Sequence, residues 1–316
     1  MLRTGKGEAH AKVILFGEHA VVHGEPAIAL PLEALPIHAS ATPVDGDLML
    51  TSSLYSGPLD LAPAFLESPR AVVMASLEAF DLPPHGIALR IDGDIPPARG
   101  LGSSAAVAGA LVRALADLAG RDLTQEEYLD LVAVGERVAH GTPSGLDAEA
   151  TSADEPVRFA AGVARVLASK LSAILVVADS GMQGRTRAAV SSVAAYLERH
   201  PVRGAAMVAG LGALAHGGAL DLAADRPIRL GEKMTSAQGI LRELGVSSPE
   251  IDTLIAAAMS AGALGAKLTG GGQGGCIIAL TPDVPSAQAV ELALREAGAV
   301  ATWRHRIGPE TASEKA

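Results

Sequence analysis

The chain has 316 residues, long for one hydrophobic core and ample for two packed lobes. Its formal charge of −10, with 25 Lys and Arg scattered without a basic run, excludes electrostatic capture of nucleic acid, so an anionic ligand has to be held locally. A single cysteine, Cys276, excludes an internal disulfide and a cysteine-rich zinc site; with no hydrophobic leader in the first residues, a cytoplasmic protein is expected.

The first element in chain order is Lys12-Val13-Ile14-Leu15-Phe16, an apolar strand that opens on a lysine and breaks at Gly17 into Glu18, His19 and His23. A lysine there either frays at the strand edge or faces something anionic. Ala27–Leu30 is a second strand, expected to stop at Pro31. Residues 47–56 and 86–92 read as short strands, and Ala71–Phe80 has helical periodicity. After Pro96-Pro97, the run GLGSSAAVAGALVRALADLAG predicts a helix from Ser104 to Leu118, closed by Gly120. Thr124 and Glu127 form a capping box for a helix over 125–139, with Leu129, Val132 and Val138 marking its buried side. A turn at 140–143 and Asp147 follow.

Residues 172–180 begin the second lobe as a buried strand. Helices are expected over 186–199, 203–216, 229–244 and 249–261, then strands at 266–269 and 276–280 joined through GGGQGG, a helix over 286–297 and a strand over 299–306. The uncharged stretch 204–220 is broken by five glycines and His216, so no membrane span is expected.

Four groups of residues carry chemistry. In Gly100-Leu101-Gly102-Ser103-Ser104-Ala105 the glycines permit close backbone approach, and the following amides fall at a helix N-terminus, a favourable seat for phosphate. The alternative is that Ser103 only caps the helix. The run is not a Walker A, since Gly-Lys-Ser/Thr is missing, and Pro96-Pro97 argues against a dinucleotide fold. Glu136 and Asp147 are each either a carboxylate with a ligand or, in turn, a solvated flank residue and a turn aspartate. Glu18, His19 and His23 lack the order of a zinc helix and suit a small-molecule pocket better. The glycines of 270–275 remove side chains where something approaches the backbone, or form a mobile hairpin.

In sequence order, KVILFGEHAVVHG (12–24), PPARGLGSSAAVAG (96–109) and KLTGGGQGGC (267–276) resemble the three motifs of the GHMP kinase family of small-molecule kinases. The resemblance implies an α+β fold with two lobes, 1–168 similar to domain 2 of ribosomal protein S5 and 169–316 ferredoxin-like. GEHAVVHG and HGTPSGLD (140–147) resemble the branch that acts on mevalonate, which implies transfer of the ATP γ-phosphoryl group to the primary alcohol of that small molecule. The alternatives are another GHMP kinase, of phosphomevalonate or homoserine type, or a non-catalytic binding protein on the same fold. By the family pattern Asp147 is the acidic catalytic residue and Lys12 its partner. Residues Gly100 to Ala105 bind ATP, Ser104 and Glu136 hold Mg²⁺, and Glu18, His19, Thr186 and Gly271 belong to the substrate site. The pattern implies neither nucleic-acid nor membrane partners and allows a homodimer. Two positions depart from it: His10-Ala11 replaces Pro-Gly before Lys12, and Gln273 puts a long amide side chain in the glycine loop.

Overall fold

A computed structural model of the chain describes residues 3–140 and 145–308. The expected turn at 141–143, the rest of the HGTPSGLD motif as far as Ser144, and the polar tail from 309 lie outside those residues. The described chain forms two compact units. The first takes residues up to Lys12, Pro31–Pro97 and Gly102–Ser152; the second takes Val13–Leu30, Ala98–Leu101 and the chain from Ala153 onward.

Strands β1 (Gly5–Phe16) and β2 (Ala27–Pro43) pair and run through both units. In the first unit β2 pairs antiparallel with β5 (Ile87–Gly93), from Ile37 opposite Gly93 to Pro43 opposite Ile87. Beyond β5 lie β3 (Met49–Thr51), parallel to it, and β4 (Ser56–Pro58). Helices α1 (Glu67–Ala79), α2 (Ser103–Ala119) and α3 (Gln125–His140) pack on one another, and a short α4 (Leu146–Ser152) packs on α2 and α3. The inner residues of α2 are Ala, Gly, Leu and Val, whose small side chains let its neighbours approach closely. The capping box forms as expected: Glu127 N–H donates to Thr124 Oγ1 at 3.2 Å, and Thr124 N–H to Glu127 Oε2 at 3.0 Å.

Pro31 does not stop β2. Pairing with β6 (Val157–Ala160) in the second unit covers Ala27–Ala29, and pairing with β5 begins only at Ile37. Pro31 and Pro36 fall between those two ladders. The hairpin of β6 with β7 (Val163–Val166) was not expected from the sequence.

The second unit holds a four-stranded antiparallel sheet in the order β11 (Ala301–Ile307), β8 (Ala173–Asp179), β10 (Cys276–Thr281), β9 (Gly265–Thr269). Counted along the chain, that is fourth, first, third, second, the ferredoxin-like βαββαβ order that the family resemblance implied. Every residue of β8, β9 and β10 is buried, which is why β8 and β10 read as largely apolar runs, while β9 buries Lys267 and Thr269 as well. Between β8 and β9 come α5 (Thr186–Arg199), α6 (Pro201–Ala223), α7 (Pro227–Glu243) and α8 (Pro249–Ser260), and α9 (Val284–Glu296) precedes β11. By length and composition α6 could cross a membrane, yet it packs against α5, α7 and the short 3₁₀ turn at Ala20–His23.

Candidate active site

In the first unit the question posed by Lys12 has a geometric answer. Residues 9–16 of β1 are buried throughout, so an ammonium there needs a partner. Lys12 is 2 % exposed and its Nζ lies 3.0 Å from Oδ1 of Asp147, whose side chain is 35 % exposed. Asp147 stands in the first turn of α4, behind the left-handed Gly145, and the hydroxyl of Thr151 donates to its backbone carbonyl at 2.9 Å. One carboxylate therefore has an oxygen on a buried cation while still being reached from outside.

The N-terminus of α2 sits against the same lysine. Its N-cap is Gly102, with φ +73° and no side-chain acceptor, so the view of Ser103 as merely a cap residue fails. A Cβ at Gly102 would lie 3.0 Å from both Cγ and Cε of Lys12 and 2.9 Å from Cγ2 of Thr151. Only glycine lets the lysine stem pass beneath the turn. The first-turn amides of Ser103, Ser104 and Ala105 have no intrahelical acceptor and, with the helix dipole, favour an anion there. Ala105 is buried, while both serines are partly accessible.

Glu136 is 5 % exposed on α3, aligned with buried Tyr128 and Val132. The expected apolar side was drawn one residue too far round: Val138 is 46 % exposed and Glu136 takes the inner position instead. The solvated-flank view of Glu136 therefore fails. Ser104 and Glu136 lie on helices that pack together, and a hydroxyl with a carboxylate is the hard-oxygen donor set that Mg²⁺ accepts. In chemical type these two residues suit that ion; among the described residues no group of three or more His, Cys, Asp and Glu gathers that could hold one.

A second cluster forms within the second unit. Leu101 is buried, and Gly100 packs directly on Thr269 and Gly270: a Cβ on Gly270 would meet the Gly100 Cα at 2.9 Å. Thr186 opens α5 beside Gly271, where a Cβ would come within 2.6 Å of the threonine Oγ1. His19, in the left-handed region at φ +62°, places Nε2 3.0 Å from the Gly271 carbonyl. Burial holds its pKa below the usual value, opposed by that hydrogen bond and reinforced by the nearby positive charge of His23 and Lys267. Because a carbonyl can only accept, the neutral ring carries its proton on Nε2, which makes Nδ1 the acceptor. Glu18 is 1 % exposed, its carboxylate paired with Lys267, itself 0 % exposed. The glycine loop is no mobile hairpin: Gln273 N–H donates to Val246 O at 2.7 Å and Arg185 N–H to Gly272 O at 3.3 Å. The amide side chain of Gln273 turns to Gly245 O at 3.4 Å.

Sequence reasoning missed two members of this cluster. Arg99 donates through Nε to Asp179 Oδ2 at 2.9 Å and through Nη2 to Gly181 O at 3.1 Å, tying the PPARG segment to the end of β8. Lys267 carries the same signal that marked Lys12, a lysine in a short strand otherwise apolar.

The chain is similar to known proteins along most of its length. The GHMP kinases N terminal domain family matches residues 69–153, and the GHMP kinases C terminal family matches residues 219–300. A mevalonate kinase of Aeropyrum pernix is 34 % identical over 307 residues, covering 89 % of each chain. One of Thermococcus gammatolerans is 33 % identical, covering 90 % of this chain and 92 % of its own. Among solved structures, L. major mevalonate kinase in complex with R-mevalonate is 28 % identical, with a TM-score of 0.85 over 98 % of both chains.

Proposed function

The chain belongs to the GHMP kinase family, and we propose that within it the chain transfers the γ-phosphoryl group of ATP to the primary alcohol of mevalonate, using Asp147 and Lys12. The observation that carries this reading is the half-exposed Asp147 held at 3.0 Å by a buried lysine whose stem passes beneath Gly102, the N-cap of α2.

Phosphoryl transfer through a loose transition state asks the protein chiefly for alignment and charge neutralisation. The α2 amides seat the phosphates. Lys12 is fixed in β1, so its charge needs no reorganisation as negative charge develops on the transferring group. With Oδ1 of Asp147 on Lys12, Oδ2 is the oxygen that takes or orients the proton of the attacking hydroxyl. Ser104 and Glu136 would hold Mg²⁺, which when bound supplies neutralisation of the phosphate oxygens. In the second unit, Nδ1 of His19 accepts from a substrate hydroxyl beside Thr186 and Gly271. A homodimer, a cytoplasmic setting and lobes dividing at 168/169 belong to the same proposal.

The test is a coupled ADP-release assay with mevalonate, phosphomevalonates, homoserine and galactose, each with Mg²⁺-ATP and with chelator added. Turnover is expected with mevalonate and is lost with chelator; turnover with another acceptor alone refutes the substrate assignment. Asp147→Asn keeps an oxygen for Lys12 and hence the fold, and lowers kcat by about 10²–10⁴-fold with ATP affinity held. Near-normal turnover in that variant removes Asp147 from the chemistry.

A further inference from the structure

Lys267 and Glu18 form an ion pair sealed from solvent, with side chains 0 % and 1 % exposed. The lysine is fully committed: Nζ also donates to Leu268 O at 2.6 Å and lies 3.4 Å from Ile14 O. β9, on which it stands, is the edge strand of its sheet. Two residues on, on the same face, Thr269 Oγ1 accepts from Ile14 N–H at 2.8 Å and donates to Ile14 O at 3.1 Å. One side of an edge strand thus grips the segment of β1 that leads into the Gly17–His19 turn.

That turn is costly to hold. Gly17 has φ +96° and His19 φ +62°. A non-glycine residue at positive φ costs on the order of 1–3 kcal/mol and persists only where its surroundings over-determine it. Beyond the turn's own backbone bonds, Ala20 N–H to Glu18 O at 2.7 Å and Val21 N–H to Gly17 O at 3.1 Å, two side-chain constraints come from one hairpin: Lys267 of β9 takes the Glu18 carboxylate, and Gly271 of the loop that follows takes the His19 imidazole at 3.0 Å. Stability alone is a poor reason for such a pair, because a well-packed apolar pair in its place is often neutral or stabilising. What a buried charge pair supplies, and an apolar pair does not, is a single direction for each side chain.

We propose that Lys267 is a positioning residue of the phosphoryl-acceptor pocket: through its buried pair with Glu18 it fixes the Gly17–His19 turn and so places the His19 imidazole on the Gly271 carbonyl. Glu18 then reaches the substrate through its neighbour rather than with its own oxygens. The inference rests on the assignment of His19 to the mevalonate site.

Two variants separate positioning from mere stabilisation. Lys267→Met takes the ammonium away from the buried Glu18 carboxylate; Glu18→Leu with Lys267→Met replaces the pair by apolar groups and recovers the melting temperature. In both, KM for mevalonate rises about tenfold or more while KM for ATP stays within about twofold. In ¹⁵N-histidine spectra of the protein without ligands, the exchange-protected Nε2–H of His19 disappears. If the single variant does not fold, the double variant carries both measurements. A folded double variant with wild-type KM and an intact His19 signal overturns the proposal. Loss of the signal with unchanged KM upholds the clamp and strikes His19 from the substrate site. Raised KM with an intact signal overturns the clamp and leaves the substrate site standing.

Discussion

Gly102→Ala tests the junction of phosphate loop and lysine with a single methyl group. At φ +73° an L-residue pays about 1–2 kcal/mol relative to glycine, before any contact is counted. The new Cβ would stand 2.9 Å from Thr151 Cγ2 and 3.0 Å from Lys12 Cγ and Cε, against the roughly 3.5–4.0 Å of ordinary carbon contact. Lys12 is 2 % exposed in a fully buried part of β1, so the stem has little room to yield, and overpacking of this kind adds about 1–3 kcal/mol. The expected stability loss is therefore about 2–5 kcal/mol. Whatever relief is found comes from moving the Lys12 amine by a good part of an ångström, and displacements near 1 Å cost about 10²-fold in rate. We expect kcat to fall roughly 10–100-fold, read by ADP release at saturating substrates alongside a thermal melt. Adding Thr151→Ser removes the clashing methyl, keeps the hydroxyl that donates to Asp147 O at 2.9 Å, and recovers part of both losses. A Gly102→Ala enzyme with wild-type kcat and melting temperature would show that the lysine stem is not confined by this turn.

Two further outcomes follow from the second cluster. The folded pKa of His19 is depressed by burial, so below its unfolded value, about 6.5, the unfolded chain binds more protons; stability from the neutral ring is complete above that pH and is lost as pH falls toward the depressed value. Melting temperature should fall more between pH 7.5 and 5.5 in the wild type than in His19→Asn, a residue that tolerates the same left-handed backbone; equal falls would assign the titration elsewhere. Gln273 sits at φ +54° in the glycine loop, its side chain making one amide contact of 3.4 Å to Gly245 O. Gln273→Gly should stabilise by roughly 0.5–1 kcal/mol with kcat unchanged, and destabilisation in a denaturant melt would mean that the contact to Gly245 holds the loop.

Much of the second unit was legible because β8, β9 and β10 are buried throughout and its helices are bounded by local signals. Pro249 at the start of α8 and the Asp283 cap of α9 are examples. What escaped has physical causes. The β6–β7 hairpin lacks clean alternation: Val163 and Val166 are 53 % and 66 % exposed, so no apolar face announces it. Helix α4 is a single short stretch whose helicity comes from packing on α2 and α3, and propensity alone showed only a turn at Asp147. β2 continues past Pro31, which lies between its ladders with β6 and β5, and no local pattern encodes that placement. In the candidate site the residue types and their order were readable, but the partners were not. Nothing in the sequence separates an accessible Asp147 from a sealed Glu18.

On the proposed function, that difference separates the roles of the two lysines. Lys12 and Lys267 stand in comparable strands, each buried and each facing a carboxylate supplied by a loop or helix end. A group that exchanges a proton with substrate has to be reached by it, and Asp147, with 35 % of its side chain exposed, meets that condition. Glu18, at 1 %, does not, so its charge can act only on the chain that carries it. The same chemistry, a buried ammonium against a carboxylate, therefore serves reaction where the acid opens outward and alignment where it is closed. Exchanging that exposure, by opening Glu18 or sealing Asp147, should abolish function in either place without removing a single charge.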